Sequence, residues 1–216
     1  MNVCLIAVSA PKVDGIKNGD ELISFCARVS NPSNQLNVET APRLINFCIK
    51  NGHWSIFEQA DMTVEIKTSR AIAAQILRHK SFNFQEFSQR YAQVTELESP
   101  EWRLQGKTNR QVGDQPVDLS PELQEIVDVA QSASMAAYNA LIERGIAKEC
   151  ARMILPLNTQ TTLYMKGSVR SWITYFNVRC DQHTQKEHRD IAIAIRKIFS
   201  EQFPNVAKAL GYDTST

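Results

Sequence analysis

Within this chain of 216 residues, the side chains that could do chemistry gather in one stretch: Gln75-Ile-Leu-Arg78-His79-Lys80-Ser-Phe-Asn-Phe-Gln-Glu86-Phe87-Ser88-Gln89-Arg90-Tyr91. Three cationic or polar donors are consecutive at Arg78, His79 and Lys80, and Ser88 and Arg90 repeat the theme beside Glu86. That composition suits a phosphorylated ligand. Arginine presents a planar fork that makes two parallel charge-assisted bonds to a phosphate, whereas lysine offers a point charge. Gln75 and Arg78 are three apart, so a helix through this point places them on one face. A lone Arg-His-Lys is more often a solvated basic loop, and the second cluster is what argues for a site.

Other chemistries find less support. None of the eight glycines forms a G-x-G-x-x-G or phosphate loop, so a dinucleotide is not held in the glycine-loop manner. The cysteines (Cys4, Cys26, Cys48, Cys150, Cys180) are odd in number and lack a C-x-x-C pair, so neither a disulfide framework nor a cysteine zinc site is suggested, and a reducing, cytoplasmic home is expected. His183 and His188 are five apart, off the spacing of a helical metal pair, so no metal is expected. Cys180 is a tempting nucleophile beside Arg179, but no base partner is visible and it reads as structural. Taken alone, Glu58 and Arg152 read as surface charges, His53 as a loop residue, and Trp172, Tyr175 and Phe176 as core.

The net charge of +1 provides no global field to recruit nucleic acid or an anionic membrane, and no apolar run is long enough to span a bilayer. Hydrophobic residues at 43% and charged residues at 22% are ordinary for a globular protein. The amino-terminal apolar run lacks a basic flank and reads as a strand, not a signal peptide.

The elements that must position these residues follow from periodicity and caps. Strands are predicted at residues 3–8, at Met62, Val64 and Ile66, where apolar and polar residues alternate, and at 161–165. Asp20 is predicted to cap a helix carrying Leu22, Ile23 and Cys26, Thr40 a second that Gly52 stops, and Ser69 opens a third through Leu77. Residues 79–91 lack periodicity, 91–94 could form a strand, and 95–118 read as a surface excursion. Ser120-Pro-Glu starts a long helix whose stripe of Leu123, Ile126, Val127, Ala130, Ala133, Ala137 and Leu141 should pack closely on another helix. A short helix over 148–154 and two more, around Trp172 and Ile195, complete a helix-rich α+β domain spanning 1–216.

At this point a resemblance becomes specific. R-H-K, seven residues and then S-x-R-Y resembles the signature of the flavin-dependent thymidylate synthases, R-H-R, seven residues, S. Ala27-Arg-Val-Ser30, Gly52-His53-Trp-Ser55-Ile-Phe-Glu58, Cys150-Ala-Arg152-Met-Ile-Leu-Pro156, and Arg170-Ser171 with Val178-Arg179-Cys-Asp181-Gln-His183 are similar to further segments of that family, in its order and over nearly the whole chain. Three positions depart: Lys80 stands where arginine is usual, and Ser168 and Thr174 where asparagine is common. Arg170, Thr174 and Val178 still share a predicted helix face, and serine and threonine still donate and accept hydrogen bonds.

The resemblance implies a small, mainly antiparallel sheet and a homotetramer with shared sites. It implies that Gln75, Arg78, Glu86, Phe87, Ser88, Gln89, Arg90, Arg152 and Arg179 hold dUMP. FAD would be lined by Ser30, Ser55, Glu58, Arg78, His79, Lys80, Glu86, Ser168, Arg170, Thr174 and His183, with His53 near the flavin and folate. NADPH and 5,10-methylenetetrahydrofolate would be co-substrates, and Arg179 the catalytic group that activates the pyrimidine, with no cysteine nucleophile. Two other readings remain open: a nucleic-acid module using the Arg, Phe and Tyr residues of 78–91, opposed by the neutral charge, and a catalytically altered relative that only binds FAD and nucleotide.

Overall fold

The computed structural model describes residues 2–107 and 112–212, so residues 108–111 of the excursion expected over 95–118 lie outside the described residues. Strand β1 (Asn2–Val8) leads to helices α1 (Gly19–Ala27) and α2 (Ala41–Lys50), then β2 (Asp61–Ser69) and α3 (Arg70–Ile76). Next come β3 (Asn83–Glu86), a small antiparallel hairpin of β4 (Arg103–Gln105) and β5 (Gly113–Pro116), and the long α4 (Pro121–Glu143). Helix α5 (Lys148–Ala151), β6 (Gln160–Ser168), α6 (Val169–Arg179), α7 (Lys186–Gln202) and α8 (Pro204–Leu210) follow.

The main sheet has the order β1-β2-β6-β3. Strands β2 and β6 run antiparallel: the Val169 N–H donates to the Ala60 carbonyl at one end (2.9 Å), and the Arg70 N–H to the Thr159 carbonyl at the other (2.9 Å). The alternation read from the sequence is present in β2, whose Met62, Val64 and Ile66 are fully buried between half-exposed Thr63 and Glu65. The helix-rich α+β class with a small antiparallel sheet is therefore as expected.

The chain falls into two compact units, one of Lys67–Arg78 and Gln85–Leu163, the other of Asn2–Ile66, His79–Phe84 and the residues from Tyr164 onward. The second is built on aromatic packing. Trp172, Tyr175 and Phe176 of α6 are buried, as expected of core residues, and Trp172 donates its indole N–H to the Met62 carbonyl (3.2 Å). Ile191, Ile195 and Phe199 from α7 and Phe203 and Val206 around α8 complete that core.

In the first unit, Tyr138 of α4 is fully buried against Val94 and Ala151, and its hydroxyl accepts the Val94 N–H (3.2 Å). That bond is one reason residues 91–94 are not the strand that their side chains suggested: the Tyr91 and Ala92 N–H groups turn back to the Ser88 carbonyl (both 3.0 Å). Ser120 caps α4 as predicted, accepting the Leu123 N–H. Leu141 at the end of the α4 stripe packs against the cluster of Val94, Tyr138 and Ala151, whereas at its start Leu123 is 52% exposed and Ile126 63%.

Two caps differ from expectation. Asn18, not Asp20, accepts the Glu21 N–H at the start of α1. Asp20 is fully buried and its carboxylate instead accepts the Asn205 (2.7 Å) and Val206 (3.4 Å) N–H groups at the start of α8, a helix the sequence reading did not separate. Thr40 does stand at the start of α2, but its hydroxyl accepts from Arg28 and caps nothing.

Candidate functional site

Residues 79–86 explain why the motif stretch lacked periodicity. After α3 the chain makes a turn through His79 and Lys80, and only then forms β3, four residues of mixed polarity with Phe84 and Glu86 half-buried and Asn83 and Gln85 exposed. A strand that short and polar leaves no period to read.

The first unit holds Gln75, Arg78, Glu86, Phe87, Ser88, Gln89, Arg90 and Arg152. Arg78 and Arg90 are exposed and Arg152 half-buried, at the start of a one-turn 3-10 helix. Glu86 is committed within the protein: its Oε1 accepts from Arg70 Nη1 and from the Thr161 hydroxyl (3.0 Å). Arg90 Nε donates to Glu149 (3.0 Å) at the rim of an open cleft of about 310 Å³ lined by Ser88, Arg90, Tyr91, Ala147, Lys148 and Glu149. The Phe87 N–H is spent on the Thr162 carbonyl (2.9 Å), so that residue has no backbone donor for a ligand. Gln89 differs: its side-chain amide nitrogen is buried with no hydrogen-bond partner. A buried donor without an acceptor costs about 1–3 kcal/mol, which makes it a candidate for a bound acceptor.

The second unit holds Ser30, His53, Ser55, Glu58, His79, Lys80, Ser168, Arg170, Thr174, Arg179 and His183. Glu58 is a hub, accepting from the Ser168 hydroxyl (2.5 Å) and from Arg170 Nη1 (3.2 Å). Ser168 also caps α6 by accepting the Ser171 N–H (3.3 Å), and Ser171 Oγ donates to the Ser81 carbonyl (3.1 Å), which ties α6 to the turn after Lys80. Ser168 is therefore engaged locally, and Thr174 likewise donates to the Arg170 carbonyl one turn back (3.1 Å). Arg170, Thr174 and Val178 are all exposed on one face of α6, as their spacing predicts.

At the far end of α6, Arg179 Nε donates to His79 Nε2 (2.9 Å). His183 shares a 2.6 Å hydrogen bond with Asp181, whose carboxyl is held below its usual range by the His183 N–H and ring. His53 follows Gly52, which has φ +69° and ends α2; its exposed ring meets the edge of Phe47 with centroids 5.8 Å apart. Ser30 and Lys80 are exposed on turns, and Ser55 is exposed on a 3-10 helix (Trp54–Glu58). Burial pushes the Cys180 thiol up, with Arg196 opposing, so the thiolate a nucleophile needs is disfavoured.

Sequence reading missed Arg70, Thr161 and Glu149, which hold Glu86 and Arg90, and it weighed His188 only for a metal pair and Tyr175 only as core, whereas both stand behind His79. Their partners lie 16 to 109 positions away along the chain, read from the residue numbers, so no local pattern points to them.

Residues 13–205 match the family described as thymidylate synthase complementing protein. The chain is 55% identical over 217 residues to a flavin-dependent thymidylate synthase of Synechocystis sp., covering 97% of this chain and 99% of that one. It is 50% identical over 218 residues to a probable flavin-dependent thymidylate synthase of Paramecium bursaria Chlorella virus 1, covering 98% and 100%. Among solved structures, a UMP/dUMP methylase, PolB, from Streptomyces cacaoi, bound with 5-Br dUMP, shares the fold: TM-score 0.80, 23% identity, 97% and 94% of the two chains covered. The motifs, the fold and two full-length relatives agree, and the chain belongs to the flavin-dependent thymidylate synthase family.

Proposed function

We propose that this protein methylates dUMP to dTMP, taking the carbon from 5,10-methylenetetrahydrofolate and reducing equivalents from FAD that NADPH has reduced. The observation that carries the reading is the similarity to relatives named flavin-dependent thymidylate synthases over essentially their whole length. The 5-Br dUMP bound to the structural neighbour supports a uracil nucleotide as substrate.

The residues fit such ligands. Ser88, Arg90 and the buried unpartnered amide of Gln89 form a donor set for the nucleotide phosphate, with Gln75, Arg78 and Arg152 beside them in the roles that the resemblance implies. Lys80, Arg170, Ser55 and His183 are exposed polar groups suited to an anionic diphosphate, and Glu58 orients Arg170 and Ser168. His53, exposed at the end of α2, can close over planar rings. FAD, when bound, supplies the redox chemistry. Arg179 supplies a permanent positive charge that, placed at the pyrimidine, favours negative charge on the ring without a proton transfer. The departures Lys80, Ser168 and Thr174 keep a charge or a hydroxyl, and Ser168 and Thr174 have partners within the fold.

The test is direct. Purified protein should be yellow with a flavin absorbance spectrum, and should form dTMP only when dUMP, methylenetetrahydrofolate and NADPH are all present. A colourless protein carrying nucleic acid, or a yellow one that binds dUMP without product, rejects the assignment.

We further propose a homotetramer with sites completed between subunits. The start of the α4 stripe, with Leu123 and Ile126 more than half exposed, supports it, because clustered exposed apolar side chains mark interaction surfaces. Sedimentation at assay concentration should show the tetramer, and an active, FAD-bound monomer would refute it. If Cys180 is structural, Cys180→Ala should keep most dUMP-dependent activity; a loss of several orders of magnitude with FAD still bound would restore the thiol as nucleophile.

A further inference from the structure

Behind Arg179 stands a group of rings, and two of them, Tyr175 and His188, have no role in the chemistry described so far. The His79 ring, on the turn between α3 and β3, accepts from Arg179 Nε (2.9 Å) and meets three other rings edge-on: Tyr175 at 5.0 Å, His188 at 6.1 Å and Phe82 at 6.4 Å between centroids. Tyr175 lies one helical turn before Arg179 on α6, and its hydroxyl is 3.2 Å from His188 Nε2 on α7. His188 is fully buried and Tyr175 1% exposed. A core histidine in an otherwise aromatic and aliphatic wall costs desolvation, which a leucine of similar size would not.

We propose that His188 and Tyr175 are positioning residues for Arg179: they fix the His79 ring, and His79 fixes the guanidinium. The inference rests on the role proposed for Arg179.

The argument runs through protonation states. A guanidinium does not give up its protons, so His79 Nε2 must offer a lone pair to Arg179, which makes the imidazole uncharged with its proton on Nδ1. A charged His79 would set N–H against N–H beside a permanent cation. His188 is held uncharged for related reasons: burial first, then the positive charge of Arg179, push it down to about 3. Burial keeps the Tyr175 hydroxyl protonated far above its ordinary range. Tyr175 and Arg179 from α6 and His79 from the turn before β3 are among the groups that face His188. The Tyr175 hydroxyl and His188 Nε2 share that 3.2 Å hydrogen bond, which locks the phenol ring against His79. The arrangement holds the Arg179 cation in one direction by a His79 lone pair, which does not neutralise it. A cation that is to stabilise developing negative charge needs that combination.

The experiment uses the holoenzyme with His188→Leu, His188→Gln and Tyr175→Phe. Three quantities are read: dUMP affinity by calorimetry, each half-reaction by stopped flow, and the nitrogen-15 resonances of the histidine rings. His188→Leu should weaken dUMP binding and slow dUMP-dependent flavin oxidation by about tenfold to a hundredfold, the scale of a small misplacement at a reacting centre. NADPH-dependent flavin reduction should be unchanged. His188→Gln should recover most of the loss, since its amide oxygen can accept from Tyr175. Equal losses in both half-reactions, no loss at all, or no recovery by glutamine would reduce His188 to core packing. Should His188→Leu not fold, Tyr175→Phe removes a single oxygen and takes the same readings. The nitrogen spectrum of the parent decides independently of function: His79 must carry its proton on Nδ1 from about pH 6 to 8, the range in which an ordinary histidine titrates. A charged or Nε2-protonated His79 overturns the inference even in an active enzyme. Absence of dUMP binding in a parent with the expected spectrum points instead to failure of the proposed function.

Discussion

Arg179→Ala should abolish most dUMP-dependent turnover, by at least about 10²–10³-fold or roughly 3–4 kcal/mol, the scale found when one preorganised donor to a developing anion is removed. Its place at the end of α6, with Nε on His79, leaves the terminal guanidinium nitrogens to carry the interaction with substrate. The loss should exceed that of a single hydrogen bond because polar groups of the bound pyrimidine are also left unpaired. Flavin reduction by NADPH should persist, since that half-reaction needs no activated uracil ring. Stopped-flow separation of the half-reactions is the decisive measurement. If the reduced flavin of Arg179→Ala is oxidised by dUMP and methylenetetrahydrofolate at the parental rate, the residue does not activate the pyrimidine.

The second large effect concerns stability. Asp20 is fully buried, and burial pushes its carboxyl up to about 6, against the opposing N–H groups of Asn205 and Val206. Its unfolded value lies near 4. Between those values the folded state retains a proton that the unfolded state has released, so this group makes stability fall as pH rises from about 4 to 6, by about 3 kcal/mol in all. Above that window both states are ionised and the contribution is flat. Other carboxylates superimpose their own slopes, so the comparison is with Asp20→Asn, which cannot titrate. In urea unfolding, the parent should gain on that variant as pH is lowered through the window; a difference independent of pH would show that Asp20 titrates normally. Asp20→Ala should cost about 1–3 kcal/mol at neutral pH, because two amide groups at the start of α8 lose their buried acceptor.

Asp20 also shows where reading from sequence stops. An acid beside a helix start is read as the cap of that helix, and the rule is sound; here Asn18 fills the role and Asp20 serves a helix 185 positions downstream. Signals confined to one element survived: Ser120 before Pro121, the alternation of Met62 to Ile66, the shared face of Arg170, Thr174 and Val178. Signals that needed a partner did not. The stripe on α4 was legible, but nothing in it says which surface covers it. The candidate site divides the same way. Its motif residues were identifiable by type and order, whereas Arg70, Thr161 and His188, which hold them, sit in unremarkable contexts and act only through distant contacts.

The strand order carries a consequence for synthesis. No two neighbours in the main sheet are consecutive strands joined by a hairpin: β1 must wait for Asp61, and β2 and β3 both wait for a strand that begins at Gln160. As the chain leaves the ribosome, β2 and β3 are therefore complete long before their common neighbour β6 exists, and the edge of each that faces β6 stays unpaired through the making of the whole of α4. Every pairing in the sheet closes a long loop, which slows folding and lengthens the exposure of unpaired edges. The isolated hairpin of β4 and β5 can form early, but it contributes nothing to that sheet. Nascent chains arrested before Gln160 should accordingly depend on chaperones far more than the finished protein does.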